Sequence, residues 1–510
     1  MKRFLSLVLC CAALCSVLSG CNNPHNLAGD GLTWDDDPGG SGSPENTEQS
    51  LTLTYYPERS LNPFLSTDFT NRALFPLLYQ SLFSVDRNYR VEPQLCKQYS
   101  VSSDLRTYTF YIEENVTFTD GTILTAQDVI ASLNEAKLHD FYSGRFLHIS
   151  SITLAEDNGI VIKLNTPCEE LPLLLDIPIV QASQVTEDCP LGTGPYYFDQ
   201  TALNTCLRRR TGWWCKADMV VTASTIALTK AQSVTQIRDE FQFSDLDIVC
   251  ADPGSDRYAD YRCDFELWDC ETGIFLYLAC SESSKIFSDP EMRAALTYAI
   301  DRDYLVQNYY RGFARSATLP ASPQHPYYSK PLAAQYAYDG QTLNRVIREK
   351  GFLNEEITFL VNSDDSLRVR VARAIASMLT EAGFTVKMKE VNTTAYKEAL
   401  IYRTFDLYLG QTVLSPNMDL SAFLASNGKL SYGGVDDVTA YFLSQQALEN
   451  HGNYYTLHKT VMDQGILTPI LFRSYAIYAT RGVVSGLNPA RNNIFYYSIG
   501  KTMEQALIRN

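Results

Sequence analysis

"EITFLVNSDDSLRVRVARAIASMLTEAGFTVKMKEVNTTAYKEALIYRTFDLYLG", residues 356–410, carries its secondary structure in its periodicity. "EITFLV" is a short, nearly continuous apolar run, the pattern of a strand buried on both faces. In "SLRVRVARAIASMLTEAG", Leu367, Val371, Ala374, Ile375, Met378, Leu379 and Ala382 fall on one helical stripe, and Gly383 stands where a C-cap belongs. "FTVKMKEV" alternates with period two, "YKEAL" returns to helix, and "FDLYLG" is another short strand. Strand, helix, strand, helix, strand within 55 residues predicts a parallel sheet covered by helices, because parallel neighbours need crossover connections. The fold class is α/β.

Upstream, "LRTYTFYIEENVTFTDGTILT" sets Tyr108, Phe110 and Ile112 on one face and Thr107, Thr109 and Tyr111 on the other, followed by a turn at Asp120-Gly121. "TAQDVIASLNEAK" then starts a helix, with Thr125 as cap and Asp128 three residues on. The folded body, from about Leu51 to Asn510, is some 460 residues and exceeds the size at which single cores stop growing, so two or three lobes are expected.

The N-terminus is different in kind. Lys2 and Arg3 precede an apolar run from Phe4 to Leu18. That run is shorter than the roughly 20 residues a spanning helix needs, and it reads as a secretory signal peptide, residues 1–20. Leu18-Ser19-Gly20-Cys21 resembles a bacterial lipobox, which implies cleavage before Cys21 and acylation of its thiol. Residues 22–50 are rich in Gly, Ser, Asn, Asp and Pro and form a flexible linker. The chain carries a net charge of −16, and loss of Lys2 and Arg3 leaves 40 basic residues against 58 acidic, or −18. Such a surface repels phosphate backbones and excludes nucleic-acid binding.

Motifs of catalysis are missing. The six histidines form no HExxH or similar ligand spacing, no C-x-x-C pair exists, and no G-x-S-x-G elbow, P-loop or GxGxxG follows a strand. Glu169-Glu170 and Asp436-Asp437 read as solvated loops. No catalytic residue, metal site or cofactor is assigned, and the balance favours binding over turnover.

Longer strings carry a resemblance. Leu61-Asn62-Pro63, Leu78-Tyr79 with Leu82-Phe83, Glu92-Pro93, the Tyr-Thr-Phe strand, and Phe118-Thr119-Asp120-Gly121 leading into Thr125 to Val129 stand in order within residues 61–133. "LGTGPYYF" at 191–198 and "FSDPEMRAALTYAIDRDYLVQNYYRGFARSATLP" at 287–320 follow, and "TPILFRSYAIYATRGVVSGL" closes the series. Together they resemble the family 5 extracellular solute-binding proteins, which include the oligopeptide- and dipeptide-binding lipoproteins of ABC importers. The resemblance implies a two-lobed, type II periplasmic-binding-protein-like fold with an extra subdomain in the first lobe. Lobe 1 would span 51–276, with the subdomain at about 67–185, and be completed by 473–510; lobe 2 would span 277–472. The chain would cross between lobes near Tyr277 to Ser281 and return near Leu471 to Tyr475.

The resemblance further implies a monomer on the extracytoplasmic face of the cell membrane, held there by lipid, that binds a small solute or short peptide and delivers it to permease subunits. Peptide binders of the family hold the ligand's amino terminus with an aspartate. If Asp419 and Phe423 match the family segment, that position here is Pro416, which has no charge, and Asp419 would have to substitute. The ligand is then a peptide read another way, a sugar or a metal chelate. The remaining ligand-binding candidates are Tyr55, Thr67, Thr70, Thr193, Trp268 and Tyr475. For Thr193, between Gly192 and Gly194, a tight turn offers backbone to a ligand or merely redirects the chain. The rival classes are a surface hydrolase, which would need clustered acid/base residues, and a structural or adhesive lipoprotein.

Nine of the 13 cysteines lie beyond Cys21, an odd number that leaves at least one thiol unpaired. Cys206 and Cys215 flank "LRRRTGWW", which reads as a hairpin able to bring them together; the alternative is buried, reduced thiols.

Overall fold

The structure, a computed structural model, describes residues 51–508 apart from 201–203, 231–232, 256–259, 436 and 485. The signal peptide, Cys21 and the 22–50 linker lie outside the described residues. Among the described residues no helix is long and apolar enough to cross a membrane.

An eleven-stranded mixed sheet runs through the molecule. Its strands in chain order are β1 (Leu51–Tyr55), β2 (Tyr196–Asp199), β3 (Cys206–Arg209), β4 (Thr225–Lys230), β5 (Ile248–Ala251), β6 (Phe265–Cys280), β7 (Ala314–Ser316), β8 (Glu356–Asn362), β9 (Thr385–Val391), β10 (Leu407–Val413) and β11 (Thr468–Thr480). In space they lie in the order β2-β3-β4-β1-β5-β11-β6-β10-β8-β9, with β7 on β11. The two ends of the sheet each hold parallel pairs, β4-β1-β5 at one and β10-β8-β9 at the other. The centre is antiparallel, where β11 pairs with β5 and β6, and β6 with β10.

The stretch that set the fold class behaves as its periodicity requires. The helix Ser366–Ala382 buries Leu367, Val371, Ile375, Leu379 and Ala382 against β8 and β9, and stops at Gly383, whose φ of 121° few other residues adopt. Phe359 on β8 is fully buried, worth about 1.5–3 kcal/mol for such a ring. A four-stranded antiparallel sheet, Cys96–Val101, Thr107–Ile112, Ile160–Leu164 and Ile149–Leu154, is packed by the helix Ala126–Ala136. Tyr108 and Phe110 are buried as the alternation demands. The Asp128 carboxylate accepts from the Thr125 backbone N–H at 2.8 Å and from its hydroxyl at 2.7 Å. Likewise Asp301 caps Arg302–Tyr309 by accepting from the Tyr304 N–H at 2.9 Å. The next residue, Arg302, is buried and donates to the carbonyls of Ala317, Pro469, Thr297 and Ile300 and to the Thr297 hydroxyl; burial pushes its guanidinium down to about 10. It staples helix to sheet.

β6 and β11 run through more than one core. On β6, Cys270 belongs to the hydrophobic cluster that contains β1 and β4, while Phe275 and Leu276 belong to two clusters on opposite faces of the β10-β8 region. On β11 the change falls between Phe472 and Ala476. The ladder between the two strands slips at the same place, from Glu271 opposite Ser474 to Phe275 opposite Phe472. Gly273, at φ 72°, sits in the slip, and a Cβ there would overlap the Arg491 guanidinium. A second slip follows between Leu276 and Tyr277, so the ladder is irregular from Glu271 up to the start of the Tyr277–Ser281 stretch.

The cysteines show no pairing: all nine beyond residue 95 are free. The Cys206–Cys215 hairpin is corrected. Cys206 lies opposite Asp199 and Ala227 in the sheet, so its strand pairs with β2 and β4 instead of folding back towards Cys215.

Candidate functional site

Parallel strands β1 and β5 end side by side, at Tyr55-Tyr56 and at Ala251-Asp252. Outside the carboxyl ends of such strands an open α/β sheet offers a crevice. Here it is a cavity of about 270 Å³, bordered by the loop Thr67 to Thr70, the end of β5 from Val249 to Asp252, Arg59, Tyr261 and Tyr475. Its wall is aromatic: the Phe69 and Tyr475 rings stack with centroids 3.8 Å apart and planes 6° off parallel. Burial pushes the Tyr475 phenol and the Cys250 thiol each up to about 12, so both are neutral at physiological pH.

Its charges come in pairs. Arg59 donates to Asp68 at 2.5 Å, and the same Asp68 caps the short helix Phe69–Arg72 by accepting from the Thr70 N–H. Arg473 on β11 donates to Asp252 at 2.7 Å. Burial opposes the Arg473 charge, but Asp252 and nearby phenols outweigh it and raise the guanidinium well above its ordinary range. The loop after Asp252 closes on the far side of the sheet: Gly254 is packed so tightly on Leu367 that a Cβ would overlap it, and Arg370 donates to the Gly254 carbonyl at 3.2 Å. The loop that follows the cavity residue Asp252 therefore touches the helix Ser366–Ala382, which packs on the other end of the sheet.

A second set of contacts links the four-stranded-sheet region to the β10 side. His148 Nε2 lies 2.9 Å from Asp419, which also accepts from the Ser421 N–H and hydroxyl. Burial opposes the Asp419 charge, yet His148 and Ser421 hold its carboxyl below the usual range. His451 Nδ1 lies 2.9 Å from Glu169, the Thr166 hydroxyl donates to Gln445 at 2.7 Å, and Tyr327 donates to Glu170. Burial pushes the Glu170 carboxyl up. The Glu169-Glu170 pair, read as a solvated loop, is thus part of a contact between distant segments.

Of the candidates read from sequence, Thr67, Thr70 and Tyr475 meet at the cavity. Tyr55 is buried one residue short of it, edge-on to Phe198. Thr193 is fully buried; its flanking glycines make room for the protein's own Leu78 backbone, and Trp213 donates to its carbonyl at 2.9 Å. Trp268 is half-buried opposite Ile477, against the β1 core. Asp419 is engaged by His148, away from the cavity. Sequence reading missed Asp68, Asp252 and Arg473. One signal for Asp252 was available, since "DIVCADPGS" is a strand followed by a turn in the manner of a cleft-facing loop.

The family model described as "Bacterial extracellular solute-binding proteins, family 5 Middle" matches residues 90–433. The chain belongs to the family 5 bacterial extracellular solute-binding proteins. Among curated relatives of this family 5 protein, the glutathione-binding protein GsiB of Pectobacterium atrosepticum is 25% identical over 355 residues, 64% of this chain and 66% of that one. GsiB of Escherichia coli K12 is also 25% identical, covering 64% and 67%. The chain thus spans about two thirds of these relatives' length. Among solved structures, the oligopeptide-binding protein AppA of Bacillus subtilis, in complex with a nonapeptide, superposes with a TM-score of 0.62 at 19% identity, covering 89% of this chain and 99% of that one. AppA of Clostridium difficile gives 0.71 at 14%, covering 88% and 98%. NikA of Staphylococcus aureus, bound to nickel and histidine, gives 0.62 at 18%, covering 89% and 99%. The family 5 chain shares the two-lobed α/β fold of these binding proteins.

Proposed function

We propose that this family 5 protein is the solute receptor of an ABC importer, anchored by lipid at Cys21 on the extracytoplasmic face and working as a monomer. Its lobes, 51–276 with 473–510 and 277–472, close on a small solute of peptide class, which passes unaltered to a membrane permease. The observation that carries this reading is the cavity at the carboxyl ends of β1 and β5, beside a loop that touches the helix Ser366–Ala382, in a chain of this family. Closure needs no catalytic group; it needs a ligand that favours the closed state over the open one. Aromatic stacking at Phe69–Tyr475 supplies apolar surface, and Thr67 and Thr70 supply hydroxyls for a peptide backbone. Glutathione for the GsiB relatives and a nonapeptide for the Bacillus subtilis structure support the peptide class, beside the nickel–histidine of NikA.

A thermal-shift screen of the purified chain with glutathione, di- to nonapeptides, sugars and nickel–histidine tests this. A saturable rise in Tm with peptides, without product, is the expected result; a ligand at 100 times its Kd adds about 2.7 kcal/mol. Conversion of the ligand to product, or no shift with any class, would overturn it.

A further inference from the structure

On the other side of the short helix Phe69–Arg72 lies a second cavity, of about 90 Å³, that the reading above does not use. Three guanidinium groups border it, those of Arg72, Arg145 and Arg491, each more than nine-tenths buried. A single carboxylate in its lining, Asp176, pairs with Arg145. Arg72 has no carboxylate; it donates to the Ser66 carbonyl at 3.1 Å and to the Tyr142 hydroxyl at 3.3 Å, and lies 3.6 Å over the Phe141 ring. Arg491 donates one N–H to the Leu414 carbonyl, while its Nε and Nη1 have no partner. A further buried acid outside the lining, Glu271, faces Arg491 and accepts from the Tyr89 hydroxyl at 2.5 Å and the Ser322 hydroxyl at 3.1 Å.

Buried charges are normally paired, because the desolvation of an unpaired one costs several kcal/mol. Three buried cations against Asp176 in the lining and Glu271 beside Arg491 leave the site about one positive charge in excess. The mutual repulsion is visible in Arg145, which burial, Arg491 and Arg72 together push down to about 9. A lining of this kind is complementary to an oxyanion, and guanidinium forks suit carboxylates in particular.

We propose that this pocket receives an acidic group of the carried solute, a carboxylate, with Arg491 and Arg72 as its ligands and Arg145 held in place by Asp176. The proposal rests on the receptor reading above and sharpens it: the solute is an acidic peptide or peptide-like acid.

Titration calorimetry on the full chain tests it with matched probes. The probes are glutathione against its dimethyl ester, and a tripeptide pool in free-acid against C-amidated form, with citrate and inorganic phosphate as free anions. The free acids are expected to bind about 10- to 100-fold more tightly than their neutralised forms, as for a buried charged hydrogen bond. Arg491→Gln is expected to abolish that difference. Arg145→Gln combined with Asp176→Asn, which removes the pair without stranding a charge, is expected to reduce it. Equal binding of acid and neutral forms, indifferent to the arginines, would overturn the anion pocket and leave the receptor reading standing. Binding of citrate or phosphate alone, with no solute bound, would make the pocket a free-anion site and overturn its role in cargo recognition. Binding by none of the probes would sink the receptor reading and this inference with it.

Discussion

One turn of helix, Phe69–Arg72, separates the cavity beside Tyr475 from the cavity beside Tyr142. In the first, each guanidinium at or beside the wall meets a carboxylate, Arg59 with Asp68 and Arg473 with Asp252. In the second, three guanidiniums share one in the lining and Glu271 beside it. The difference separates two uses of buried charge. Paired charges hold a wall in shape; charges in excess wait for something from outside the chain. Mutations that remove one arginine at a time should therefore cost stability in the first cavity and binding in the second.

The largest effect is expected at Arg473. Arg473→Met strands the half-buried Asp252 carboxylate, and urea denaturation should show a loss of about 3 kcal/mol. The next concerns pH. Burial pushes His325 and His458 down to about 3, with both ring nitrogens of His458 unpartnered. Their folded values lie below the unfolded value of about 6.5, so stability is full above that pH and falls with acidification through the window towards 3. Between pH 7 and pH 5 each histidine should remove about 2 kcal/mol. His325 lies towards Arg491, so this loss falls on the cationic side of the comparison. His458→Phe should flatten the slope by half, and an unchanged slope would refute the burial argument. Third, Arg491→Met should cost less ligand-free stability than Arg473→Met, about 1 kcal/mol, since it relieves repulsion on Arg145 as it loses one carbonyl contact and one of the two cations, with Arg315, that face Glu271. A loss as large as that at Arg473 would erase the contrast. The smallest effect is the Arg59–Asp68 coupling, which a double-mutant cycle should put at about 0.2–1 kcal/mol because Arg59 is half exposed.

Local chemistry was readable in the sequence, and long-range chemistry was not. The β8-to-β10 unit, the Thr125–Asp128 and Asp301 caps and the Gly383 stop all depend on residues within a few positions of one another. Thr67, Thr70 and Tyr475, singled out beside the family resemblance, border one cavity because the loop after β1 and the return strand meet there. Arg473 with Asp252 is separated by 221 residues and Arg491 with Leu414 by 77, and no periodicity announces such meetings. Gly192 and Gly194 show the opposite hazard. Their spacing signals close approach of another backbone, but only coordinates reveal that the backbone is that of Leu78 rather than a guest's.

Gly273 gives up its side-chain space to the Arg491 guanidinium at the first of two places where β6 and β11 slip past each other. The joint between the cores is thus filled by a cation instead of a methyl group. An anion seated on that guanidinium would touch the joint itself, with no relay between pocket and strand crossing.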